Sequence, residues 1–143
     1  MDFSLSDKHD ALCLQVREFI DNEVLPLEAS KDNYDAHENI KLDLLDTVRA
    51  KAKVARLWAP QCRVERGSLG LPLTACAPFY EEANRSLFGP VCLNCAAPDD
   101  GNMRVLEKIG TEQQKAEWLQ PIIDGKVASA FAMTEPPPRW RLR

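Results

Sequence analysis

Residues 127–134 alternate in the manner of a β-strand, with Phe131 and Met133 on one face and Ala130 and Ala132 on the other. They form the one good strand in a chain of 143 residues. A single strand is a severe constraint, because it cannot satisfy its own backbone N–H and C=O groups. It must pair with another molecule or belong to a sheet whose other strands lie elsewhere. Pro136, Pro137 and Pro138 follow directly, and none can donate a backbone hydrogen bond, so regular structure is expected to stop there.

The regular segments ahead of the strand all read as helix. Ser6 can cap a helix with Asp7 in its first turn and an apolar stripe of Leu12, Val16, Phe19, Ile20 and Val24. Pro26 is expected to end it. After a polar connection, a second helix carries Leu44, Leu45, Val48, Ala52 and Ala55 on one side, closed by Trp58, Ala59 and Pro60. Residues 61–73 are expected to be irregular, with a Gly67 to Pro72 loop. A third helix is predicted from Thr74 to about Asn84. Gly89 and Pro90 break the chain, and a short apolar piece leads to a polar turn at residues 98–101. A further helix carries Met103, Leu106 and Ile109, with Gly110 just past its end. Thr111 and Gln114 match a capping box, opening a helix whose apolar side is Trp118, Leu119, Ile122 and Ile123. The expected fold is mainly α: a helical bundle over residues 1–126, one isolated strand within 127–136, and a disordered tail over 137–143. No internal repeat is present.

Composition narrows the function classes. The charge of −4 gives no general affinity for nucleic acid or anionic membrane, and no stretch approaches the roughly 20 apolar residues of a membrane span. Five cysteines, an odd count, with no secretory pattern at the amino terminus predict reduced thiols. A cytoplasmic location is expected, with the mitochondrial matrix or peroxisome as alternatives.

Few motifs could carry chemistry by themselves. Gly67 and Gly70 lack the spacing of a phosphate loop. His9 and His37 stand apart without a ligand pattern. Cys92 and Cys95 form a C-x-x-C with no second pair to complete a zinc site and no strand before it, so packed small residues are expected. The paired carboxylates Glu81-Glu82 and Asp99-Asp100 read as solvated pairs. No metal site is expected.

The pattern Gly110-Thr111-Glu112-Gln113-Gln114-Lys115, then Trp118-Leu119, Pro121, Gly125 and Phe131-Ala132-Met133-Thr134-Glu135-Pro136, resembles the acyl-CoA dehydrogenase family. The run Leu93 to Met103 is similar to a subgroup with an N-C-x-A-P-D-x-G-N-M segment. The likeness covers nearly the whole chain to Pro136, and its last third is the most specific part. It implies an all-helical amino-terminal domain followed by the first strand of a middle β-domain. It also implies FAD as cofactor, an acyl-CoA substrate oxidised to the trans-2-enoyl-CoA, and a homo-oligomer. Carried over, Phe131, Met133 and Thr134 would contact the flavin, and Asn94 and Met103 would line the acyl pocket.

Two departures qualify the likeness. Residues 137–143 match nothing in the family, which suggests a truncated or frameshifted product. The glutamate base of the family belongs to a carboxy-terminal domain, so no residue here is assigned to catalysis, and the chain is expected to be inactive alone. A rival reading is a non-catalytic helical module that pairs with a full-length dehydrogenase chain.

Overall fold

A computed structural model describes residues 6–132. The expected tail, together with Met133 and Thr134, lies outside the described residues. Eight α-helical segments follow one another: α1 (Asp7–Phe19), α2 (Leu25–Glu28), α3 (Leu42–Val54), α4 (Leu73–Ala83), α5 (Gly89–Cys92), α6 (Asp99–Ile109), α7 (Glu112–Gln114) and α8 (Gln120–Ile123). The mainly α expectation therefore holds.

Ser6 caps α1 as its position suggests, its side chain accepting from the His9 N–H at 3.4 Å. Pro26, however, does not end the helix. A π turn over Ile20–Val24 carries it into α2, and the Leu25 N–H reaches back five residues to the Ile20 carbonyl. The wider turn gives the proline ring, which has no N–H and would clash one turn back, a place in a continuing helix. The same device recurs at Lys115–Leu119, where the Gln120 N–H bonds the Lys115 carbonyl just ahead of Pro121. This second π turn also shifts the phase of the apolar stripe. Leu119, Ile122 and Ile123 are buried, whereas Trp118, expected beside them, is 57% exposed.

Other boundaries move for local reasons. Residues 99–101, expected as a polar turn, are the first turn of α6, where acidic residues suit the positive end of the helix dipole. Ala55, expected on the buried side, is exposed just past the end of α3. Gly110 is extended (φ −67°) rather than left-handed. A Cβ there would come within 2.5 Å of the Leu106 carbonyl oxygen, so close approach explains this glycine. The capping box is complete: Thr111 Oγ1 accepts from the Gln114 N–H at 3.2 Å, and Gln114 Oε1 accepts from the Thr111 N–H at 2.9 Å. Thr111→Ala should lower stability by about 1 kcal/mol in a denaturant titration. An unchanged midpoint would remove the cap from the stability account.

Two cores form. The larger packs Val16, Phe19 and Ile20 of the first helix against Val48 and Ala52 of α3, Phe79 and Ala83 of α4, and Cys92 of α5. The smaller gathers Cys62, Met103, Leu119, Ile122 and Ile123. Each fully buried large apolar side chain contributes about 1.5–3 kcal/mol by leaving water. The irregular segment from Leu57 to Cys62 runs buried between the cores, and Trp58 closes one end of it. Across the larger core Arg17 donates from Nε to Glu82 at 2.9 Å and from Nη2 to the other carboxylate oxygen. That bidentate bond holds the Glu82 carboxyl below its ordinary value despite its burial.

Beyond α8 the chain runs back over the first turn of α6. Residues 127–132 belong to no helix and no β-ladder among the described residues, and the remainder of the expected strand, Met133 and Thr134, lies outside them.

Candidate functional site

The chain exit and the first turn of α6 meet. The Ser129 N–H donates to Asp99 Oδ1 at 2.6 Å, and its hydroxyl donates to the same oxygen at 2.5 Å. Asn102 Nδ2 donates to Ser129 Oγ at 2.8 Å. Phe131 lies over Gly101, its ring tip 3.4 Å from where a Cβ of that glycine would stand. One turn along α6, Asp100 and Arg104 close a ring with Tyr80 of α4. The Tyr80 hydroxyl donates to Asp100 at 2.8 Å and accepts from Arg104 Nη2 at 3.0 Å, while Arg104 Nε donates to Asp100 at 3.1 Å. Burial, and then the hydrogen bond to Asp100, push the Tyr80 phenol above its ordinary range, so it stays neutral.

The carboxylate pairs are thus divided rather than shared. Asp99 binds Ser129 while Asp100 binds Tyr80 and Arg104; Glu82 binds Arg17 while Glu81 is exposed. Like charges that each have a separate cation or donor do not form a proton-sharing dyad.

Asn94 and Met103 are interior. Asn94 is 3% exposed, in a left-handed turn (φ 55°), and its amide donates to the Ile122 carbonyl at 3.0 Å and the Ile123 carbonyl at 3.3 Å. It satisfies carbonyls that the end of α8 leaves without helical partners. Met103 is 0% exposed, its sulfur 3.8 Å from Cys62 Sγ. Met103 thus anchors α6 from inside, while Asn94 holds the end of α8. Phe131 stands 54% exposed at the chain exit, away from them. Sequence reasoning missed Tyr80, Arg104 and Ser129. The four-residue step from Asp100 to Arg104 was a legible helical ion pair, but nothing near Ser129 points to Asp99.

The C-x-x-C thiols are buried and free. Burial pushes Cys92 up to about 12 and also raises Cys95, and it pushes Cys62 up to about 12. Cys13 on α1 is only half-buried, though burial, Glu82 and Asp10 raise it too. A thiol reagent at pH 8 should slowly modify Cys13 alone in the folded chain and all five cysteines after denaturation. Rapid labelling of Cys92 or Cys95 in the folded chain would contradict their burial.

The exit segment offers a particular surface. Ala130, Phe131 and Ala132 are exposed, and their backbone groups bond no other described residue. A flavin ring has a flat face and a pyrimidine edge of N–H and C=O groups. An aromatic side chain beside open backbone donors and acceptors fits that group.

Residues 6–126 match the profile of the acyl-CoA dehydrogenase N-terminal domain. The chain is 38% identical over 141 residues to the probable acyl-CoA dehydrogenase FadE2 of Mycobacterium tuberculosis, covering 95% of this chain and 34% of that protein. It is 37% identical over 146 residues to acyl-CoA dehydrogenase family member 11 of Gallus gallus, covering 94% of this chain and 18% of that protein. A solved structure from Mycobacterium abscessus, assigned as an acyl-CoA dehydrogenase, superposes with a TM-score of 0.79 at 39% identity. That superposition covers 93% of this chain and 35% of the other. The chain spans about a third of the length of the mycobacterial relatives.

Proposed function

The chain belongs to the acyl-CoA dehydrogenase family through that family's amino-terminal domain, and on this premise we propose that it supplies the helical wall and the flavin-edge segment for α,β-dehydrogenation of an acyl-CoA. The observation that carries the reading is the exit segment, where Phe131 and open backbone groups stand on the first turn of α6. FAD, when bound, supplies the redox chemistry by accepting the β-hydrogen as hydride. This chain's residues bind and exclude water. Phe131, with Met133 and Thr134 beyond it, contacts the flavin. The α6 wall, anchored from within by Met103, borders the acyl group, with Asn94 beside it at the end of α8.

None of these residues is a base. The carboxylates nearest the exit segment, Asp99 and Asp100, are both engaged by donors. Proton removal from the α-carbon needs a base within hydrogen-bond reach, and in the family this chain resembles the glutamate base belongs to a carboxy-terminal domain. The 143-residue polypeptide should therefore turn over no acyl-CoA with added FAD and an acceptor dye.

The test is a chimaera in which residues 6–134, exit segment included, replace the matching part of the M. tuberculosis relative. It should retain FAD and reduce an acceptor dye in the presence of an acyl-CoA. A folded chimaera that carries no flavin overturns the reading and leaves the non-catalytic helical module in its place.

A further inference from the structure

The Asp99 to Asn102 turn has a task that the acyl wall does not explain. Asp99 and Asn102 lie three residues apart on α6, so their side chains share a face. Both are directed at one residue, Ser129, which lies 30 positions beyond Asp99. The Ser129 hydroxyl is used fully: it donates to Asp99 and accepts from Asn102, while the adjacent N–H also goes to Asp99. A hydroxyl satisfied as donor and acceptor holds one rotamer, and a backbone N–H tied to the same carboxylate fixes the chain beside it. Two residues later Phe131 falls on the same side of the extended chain, as the two-residue repeat requires. Gly101, between the two clamping residues, lies beneath the ring, where an added Cβ would stand at ordinary contact distance, 3.4 Å.

We propose that Asp99, Asn102 and Ser129 form a register clamp, positioning residues that set which backbone groups of the exit segment face the flavin edge. A slip of one residue would turn Phe131 to the opposite side and replace it with an alanine, Ala130 or Ala132. The clamp rests on the flavin-edge reading for its purpose but not for its existence, and the two are separable by experiment.

The experiment uses the 143-residue chain and its Ser129→Ala, Asp99→Ala and Asp99→Asn variants, with FMN as the flavin probe. In the unsubstituted chain the Ser129 amide should exchange at least about tenfold more slowly than an open amide, as a bond to a carboxylate predicts. NOEs should join the Phe131 ring to Gly101. Asp99→Ala should abolish both. Asp99→Asn, which keeps an acceptor oxygen, should restore much of them. Ser129→Ala lies outside every helix, cannot disturb the bundle, and should lose the NOEs while the far-UV spectrum stays unchanged. Added FMN should shift the Ala130, Phe131 and Ala132 amides in the unsubstituted chain, and not in Asp99→Ala.

An unprotected Ser129 amide with no ring contact in the unsubstituted chain overturns the clamp. An intact clamp with no FMN shift overturns the flavin-edge reading and, with it, the positioning role. FMN shifts that persist unchanged in Asp99→Ala overturn the positioning role alone.

Discussion

Replacing Gly89 with alanine should lower the melting temperature of the protein by about 10 °C or more. A Cβ at residue 89 would stand 1.9 Å from the Ala83 carbonyl oxygen and 3.0 Å from Ile20 Cδ1. The first neighbour is backbone, so no rotamer change relieves it. The oxygen belongs to the last residue of α4, and Gly89 opens α5, so the two helices would have to separate. That separation would loosen Phe79, Ala83, Phe88 and Cys92, which pack in the larger core with Ile20. Overpacking ordinarily costs about 1–3 kcal/mol, and a backbone clash of this depth belongs at or above the top of that range. Against a total stability of about 5–15 kcal/mol, the melting temperature should fall by about 10 °C or more. Gly67→Ala is the matched control. Gly67 is left-handed (φ 84°) with nothing within 4 Å of an added Cβ, so only backbone strain opposes the methyl group, about 1 kcal/mol. Equal losses in the two variants would show that crowding at the α4–α5 junction is not what makes Gly89 necessary.

The contrast between these glycines marks what a sequence can reveal. Local chemistry was legible: Ser6 and the Thr111–Gln114 box operate within three residues, and the structure places both bonds where the spacing puts them. Punctuation was misleading where a residue has two uses. Pro26 and Pro121 can stop a helix or sit behind a π turn, and here both sit behind one. Asp99, Asp100 and Gly101 can make a turn or begin a helix, and the dipole at the start of α6 decides for the helix. The π turn then exposes Trp118, a residue that unbroken helical periodicity would bury. Contacts between distant residues left no trace. Arg17 meets Glu82 from 65 positions away, and Ser129 meets Asp99 from 30. Asn94, singled out from the resemblance as part of a pocket lining, also supports the end of α8, which nothing in its spacing signals. A single sequence does not reveal which helix end a buried amide will reach.

Trp58 should prove the residue that most strongly ties the exit of the chain to the bundle. Its indole N–H donates to the Ile123 carbonyl at 2.6 Å, and its ring lies between Lys53, whose Nζ is 4.5 Å from the ring centre, and the turn at Gly125. A Cβ on Gly125 would come within 2.9 Å of that ring, and Gly125 is left-handed (φ 73°), so the turn admits no side chain while the tryptophan is present. Lys53 also donates to the Asp124 carbonyl at 2.7 Å. Three side chains, Lys53, Trp58 and Asn94, thus satisfy the carbonyls of Ile122, Ile123 and Asp124 where α8 ends. Trp58→Ala removes a buried ring and one of these donors and should cost about 3–5 kcal/mol. Trp58→Phe keeps most of the ring and loses the N–H, which should cost about 1–3 kcal/mol. The Ile123 carbonyl would then depend on Asn94 alone, at 3.3 Å. Adding Asn94→Ala leaves that carbonyl unpaired, so the double variant should lose more than the sum of the two single losses, by 0.5 kcal/mol or more on the scale of about 0.5–3 kcal/mol for residues sharing a partner. Denaturant titrations of the four proteins measure the coupling. Strict additivity would mean that the two donors do not share the carbonyl and that the end of α8 is held by packing alone. A coupled loss would tie the origin of the exit segment, four residues past Ile123, to a tryptophan 65 positions before Ile123 in the chain.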